Sequence, residues 1–100
     1  MSRYTVYITP ETFQEIKNLP GNIRQRVRKA IRDFADNPRP SDSKMLDVPN
    51  FESELRRLRL DNWRIVYAIT EADKIVDVLT VRKRPPYDYE DLKTLLGDFE

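Results

Sequence analysis

The chain of 100 residues has no cysteine and no histidine, only two glycines and a single tryptophan. Without cysteine there is neither a disulfide nor a thiolate metal site. Without histidine, the commonest metal ligand and the usual proton carrier near neutral pH are both missing. No apolar run approaches the roughly 18 residues of a membrane span, and the N-terminus lacks the apolar core of a signal peptide. The expectation is therefore a cytoplasmic protein with no membrane partner, no metal and no cofactor. A hydrophobic fraction of 39% supports one modest core, so residues 1–100 read as one domain.

What is present is charge, unevenly spread. The formal net charge is +1, but residues 88–100 hold five acids (Asp88, Glu90, Asp91, Asp98, Glu100) against Lys93, a net of −4. The remaining 87 residues therefore carry +5. A base-rich body suits an anionic partner, and an acidic tail can fold across it.

The pattern of apolar residues orders the chain. Tyr4, Val6 and Ile8 alternate as in a strand. Thr9 can cap a helix, with Pro10 at its first position and Phe13, Ile16 and Leu19 at helical spacing. Pro20-Gly21 ends that run. Asn22 and Gln25 resemble a capping box opening a second helix, whose face is Ile23, Val27, Ile31 and Phe34. Residues 37–50 (NPRPSDSKMLDVPN) read as a polar, proline-rich loop. Leu58 and Leu60 alternate with Arg57 and Arg59 in a strand, and Asp61-Asn62 makes a tight turn into WRIVYAIT. There Trp63, Ile65, Tyr67 and Ile69 share one face, with Arg64, Val66 and Ala68 on the other. IVDVLTV is the last strand, and Asp88 caps a helix over about 88–99 with Leu92, Leu95, Leu96 and Phe99 at core spacing. The predicted fold is α+β, a helical hairpin packed on a largely antiparallel four-stranded sheet, in the order β-α-α-β-β-β-α.

Chemistry is to be sought among the cations and phenols. Arg57 and Arg59 share a strand face, Arg64 opens the neighbouring strand, and Arg84 ends the strand beyond. Neighbouring strands lie about 5 Å apart, so a meander gathers these guanidinium groups around one site. Clustered like charges cost energy that an anion offsets, and the rigid donor fork of arginine matches phosphate. Arg82 and Lys83 extend the set, and Lys44 is an isolated base suited to a backbone phosphate. The bases of the second helix (Arg24, Arg26, Arg28, Lys29, Arg32) spread around it and read as a solvated face. Tyr87 and Tyr89 follow the basic strand end in a proline-fixed loop. Either can anchor the last helix to the sheet, stack on a base or handle a proton. A tyrosine acting as a base near pH 7 needs its pKa lowered by roughly 2 to 3 units, some 3 to 4 kcal/mol, which several nearby cations can supply.

ITPETFQEIKNLPGNIRQRV, SKML, RLRLDNWRIVYAI and VLTVRKRPPYDYEDL, in that order over Tyr4 to Leu96, resemble the RelE/ParE toxin superfamily of bacterial toxin–antitoxin modules, on its RelE side. The resemblance implies a ribosome-dependent, metal-independent mRNA endonuclease. Such toxins enter the A site of the 70S ribosome and cleave the message by attack of its own 2′-hydroxyl on the adjacent phosphate. It implies further that Arg57 and Arg59 stand where the family places two basic residues, often lysines. Arg64 and Arg84 would meet transition-state charge, with Arg59 beside them at the catalytic centre, and Tyr87 or Tyr89 would be the functional tyrosine. Arg57, Arg59, Arg82, Lys83 and Lys44 would bind RNA. A cognate antitoxin is implied as partner, one that covers the basic face or displaces the C-terminal helix, a plausible movable element. Operator DNA would be bound only by the toxin–antitoxin complex. The other branch of the superfamily, ParE-like toxins that inhibit DNA gyrase, is the alternative, and a non-catalytic binding module is a third.

Overall fold

A computed structural model of the chain describes residues 3–48 and 52–83. The elements are β1 (Thr5–Ile8), α1 (Pro10–Lys17), α2 (Gly21–Asp33), β2 (Ser43–Leu46), β3 (Glu54–Leu60), β4 (Trp63–Thr70), a short 3-10 turn (Glu71–Asp73) and β5 (Ile75–Lys83). The expected C-terminal helix lies outside the described residues.

α1 begins as its sequence dictates. Thr9 has extended backbone and its Oγ1 accepts the Thr12 amide at 3.1 Å; Pro10 occupies the first turn, Glu11 faces the positive end of the helix dipole and Lys17 the negative end. α2 departs from expectation at its start. It opens at Gly21 with Pro20 as cap and no side-chain cap bond, so Asn22 already lies inside the helix and the predicted capping box does not form. Its apolar stripe is as predicted: Ile23, Val27, Ile31 and Phe34 are all buried.

The sheet has five strands in the order β1-β5-β4-β3-β2, not four. The extra strand is β2, inside the segment read as a loop. It is four residues long, pairs on one side only and buries only Ser43, so neither length nor alternation marks it. Its pairing partner, not its own pattern, makes it a strand. β1 runs parallel to β5, and the other pairings are antiparallel. The β3–β4 hairpin turns on Asp61, whose φ of 54° takes the left-handed conformation that glycine usually supplies, a region aspartate tolerates better than most residues.

The α1–α2 hairpin covers one face of the sheet. Ile16, Leu19, Ile23, Val27, Ile31 and Phe34 pack there against Leu58, Ile65, Tyr67, Ile69, Val76, Val78 and Val81. Phe34 stacks on Tyr67 with ring centroids 4.1 Å apart. A second, smaller cluster of Leu55, Val66, Ala68 and Leu79 forms on the opposite face, so Ile65 to Ile69 in central β4 are buried on both sides. Phe13, expected in the core, is 48% exposed, and Thr12 is buried instead.

Candidate nucleic-acid interface

The register of three adjacent strands builds a row of arginines. Arg59 in β3 stands opposite Arg64 in β4, and Arg64 stands opposite Arg82 in β5. One step along, Lys44 in β2 faces Arg57 in β3, which in turn faces Val66 in β4. Directly paired residues share a sheet face, so Lys44, Arg57, Arg59, Arg64 and Arg82 lie together on the face opposite the helical hairpin. Setting like charges directly opposite each other destabilises a sheet, and an anion lying across the row offsets that cost.

The members differ in access. Arg59 and Lys44 are exposed and Arg57 and Arg82 partly so, whereas Arg64 is 2% exposed. A buried guanidinium needs hydrogen bonds, and Nη1 of Arg64 donates to the carbonyls of Asp61 at 2.9 Å and Trp63 at 3.0 Å. Arg64 therefore braces the β3–β4 turn while adding charge beneath the row. Nε of Arg82 donates to Thr80 Oγ1 at 3.2 Å. Lys83 pairs with Trp63, a residue packed against the helix-side core, which puts it on the other face and out of the row. Arg84, Tyr87 and Tyr89 lie outside the described residues.

At the turn end of the sheet the basic face opens into a cleft of about 500 Å³ lined by Arg26, Ser41, Asp42, Lys44, Arg59 and Asp61. Arg26 was read from sequence as part of a solvated helix face. The fold leaves it exposed and also brings it to the hairpin turn, where it forms an ion pair with Asp61. Nothing in the linear order of residues 26 and 61 announces that contact. Arg56, adjacent to the row in sequence, points the other way. It donates from Nη1 to Glu54 at 2.8 Å and from Nε to Ser43 Oγ at 3.0 Å, and so serves the fold.

Beside it, Arg39 donates to Glu54 at 3.0 Å and Glu71 at 2.9 Å, and Tyr4 donates to Glu71 at 3.0 Å. Lys74 first, then Arg39 and Tyr4, hold the Glu71 carboxyl down to about 2. Among the described residues no group of three or more histidine, cysteine, aspartate and glutamate side chains is arranged to hold a metal, and no helix is long and apolar enough to cross a membrane. The described part of the basic face supplies cations for holding an anion.

Comparison with solved structures shows the same fold in RelE toxins. The RelE chain of the archaeal RelE–RelB complex from Pyrococcus horikoshii OT3 superposes with a TM-score of 0.75 at 23% identity, covering 85% of this chain and 99% of that one. An arginine-to-alanine double mutant of E. coli RelE in the free state gives 0.71 at 20% identity over 100% of both chains. The RelBE2 toxin–antitoxin complex from Mycobacterium tuberculosis gives 0.67 at 24%, covering 82% of this chain and 99% of that one. A comparison with curated protein sequences finds no match. The family profile for the ParE toxin of type II toxin–antitoxin systems, parDE, matches residues 6–85. With four-fifths of its length inside that profile and the RelE fold around it, the chain belongs to the ParE toxin family of the RelE/ParE superfamily.

Proposed function

We propose that this protein is the toxin of a toxin–antitoxin module and that it cleaves mRNA on the ribosome. The observation that carries this reading is the row Arg59–Arg64–Arg82 with Arg57 and Lys44 beside it, a surface suited to a phosphodiester and to the extra charge of its transition state. In the proposed step the 2′-oxygen of the message bonds to the adjacent phosphorus. Tyr87 or Tyr89, as phenolate, takes the 2′-hydroxyl proton, and the bond from phosphorus to the 5′-oxygen breaks. The 5′-oxygen leaves and takes a proton from solvent water, giving a 2′,3′-cyclic phosphate and a 5′-hydroxyl, and the tyrosine returns its proton to solvent. Arginine is too basic to exchange protons here, so Arg57, Arg59 and Arg82 grip the phosphate oxygens while Arg64 supplies potential from below. Arg84, next along the chain after Lys83, is assigned to the same charge.

The partner is a cognate antitoxin, as in the RelB complexes of the similar structures, and an acidic segment laid on the basic face would silence the toxin. The setting is the cytoplasm of a bacterium. The second reading, gyrase inhibition, draws on the ParE description of the matching family. A reconstituted translation reaction decides between them, with cleavage sites mapped for wild type, Arg59→Ala and Arg84→Ala, with and without ribosomes. Cuts at A-site codons that require ribosomes and disappear in both variants are expected. Intact message with wild-type protein, together with loss of gyrase supercoiling, would overturn the nuclease reading in favour of the second.

A further inference from the structure

Strand β1 pairs with β5 only as far as Val78, so among the described residues the following part of β5 has no neighbouring strand on that side. α1 lies there instead, and it holds three successive residues. Thr12 Oγ1 donates to the Leu79 carbonyl at 2.6 Å, and the Glu15 carboxylate accepts from Thr80 Oγ1 at 3.0 Å and from the Val81 amide at 3.1 Å. Thr80 is 1% exposed. A threonine hydroxyl has one proton and two lone pairs. Because the proton goes to Glu15, a lone pair is left to accept, and Nε of Arg82 donates to that oxygen at 3.2 Å. The Nε–H of a guanidinium lies in its plane, so the acceptor of that bond sets the plane and with it the direction of both Nη groups.

We infer that Glu15 and Thr80 are positioning residues that aim the Arg82 guanidinium into the arginine row. Glu15 fixes the rotamer and proton of Thr80, Thr80 fixes the plane of Arg82, and Arg82 stands across from Arg64. The polarity of the chain matters. A charged acceptor on Thr80 makes the hydroxyl oxygen a better acceptor for Arg82, which a neutral partner would do less well. This inference rests on the row being the anion site. Its alternative is that Glu15 only closes the open edge of β5.

The test is a double-mutant cycle read in two ways. Thr80→Val removes the hydroxyl at nearly constant shape, Thr80→Ser retains it, and each is made alone and with Arg82→Ala. In the ribosome cleavage assay Thr80→Val is expected to lower kcat on the order of tenfold with KM little changed, since misaimed groups cost rate. Thr80→Ser should restore it, and on the Arg82→Ala background Thr80→Val should have no further effect. An equal loss on both backgrounds would make Thr80 structural and overturn the inference. The second readout needs no activity: the Arg82 Nε–H signal by nitrogen-15 NMR should exchange more slowly than that of exposed Arg59 in wild type, and should lose its protection in Thr80→Val and soften in Glu15→Gln. Equal exchange of the two arginines in wild type would sink the inference. A wild type that leaves mRNA intact but protects Arg82 would overturn the nuclease reading while retaining the positioning.

Discussion

At the scale of single residues, the best-determined chemistry lies away from the basic row, in the network of Tyr4, Arg39, Glu54, Arg56, Glu71 and Lys74. Glu71 has its carboxyl held down to about 2 by Lys74, Arg39 and Tyr4. Glu54 feels burial, which raises its pKa, but the hydrogen bonds from Arg39 and Arg56 outweigh it and the net direction is down. A carboxylate whose pKa is lower folded than unfolded stabilises the fold above the unfolded value, about 4.3 for glutamate, and loses that contribution as pH falls towards the folded one. The acid limb of the stability curve should therefore steepen below about pH 4 and continue to about 2. Glu71→Gln should flatten it by lowering the melting temperature near neutral pH and converging with wild type towards pH 2, as thermal melts across pH 2 to 7 would show. High salt should reduce the difference, because these side chains are exposed and screened. A buried residue offers the contrasting case. The Tyr67 hydroxyl donates to the Pro38 carbonyl at 2.7 Å, inside the core. Tyr67→Phe keeps the stacking on Phe34 but strands that carbonyl, and urea unfolding should show a loss of about 1 to 3 kcal/mol.

At the scale of elements, α1 does more than bury a stripe. Its Thr12 and Glu15 satisfy the exposed backbone of β5 beyond the end of β1, the kind of edge that otherwise invites pairing with another chain. Thr12→Val should cost about 1 to 3 kcal/mol by leaving the buried Leu79 carbonyl without its donor. Phe13→Gln, at a half-exposed site, should cost less, and comparing the two urea midpoints checks the assignment. This division was hidden in the sequence: a large Phe13 reads as core and a small polar Thr12 as surface, until the β5 carbonyl supplies a reason to bury a hydroxyl. The strands showed the same contrast. Trp63 to Thr70 declared both its faces by alternation, and the pairing of Arg59 with Arg64 follows once the two-residue turn at Asp61-Asn62 sets the register. Arg64 meets Arg82 through the β4–β5 pairing, whose register shifts at Val66/Tyr67 and could not be read from the chain. β2 stayed hidden because four residues with an exposed Lys44 and Met45 carry no period of their own. The positions of Arg26 and Glu15 were likewise hidden, since each reaches its partner only after the helices have packed.

At the scale of the whole molecule the distribution of charge decides which way an anion approaches. The formal charge of +1 is too small to concentrate RNA by itself, whereas one sheet face collects Lys44, Arg57, Arg59, Arg64 and Arg82. Binding of a single-stranded RNA through Z phosphate contacts makes the logarithm of affinity fall with the logarithm of salt with a slope of about −0.7Z. If exposed or partly exposed Lys44, Arg57, Arg59 and Arg82 each meet a phosphate, the slope is about −3. Replacing Arg57 and Arg59 together by glutamine should then weaken binding of a short RNA oligonucleotide and flatten the slope by about 1.4, in fluorescence anisotropy titrations between low and moderate salt. Lys29 is the control: it is well exposed, pairs with Asp33 on α2 and lies outside the row, so Lys29→Gln should leave the slope unchanged. An equal flattening by Lys29→Gln would mean that RNA senses only diffuse positive charge. A change confined to the sheet variants would locate the contacts on that face, because the number of released counterions counts the cations that touch phosphate and not those that merely share the molecule.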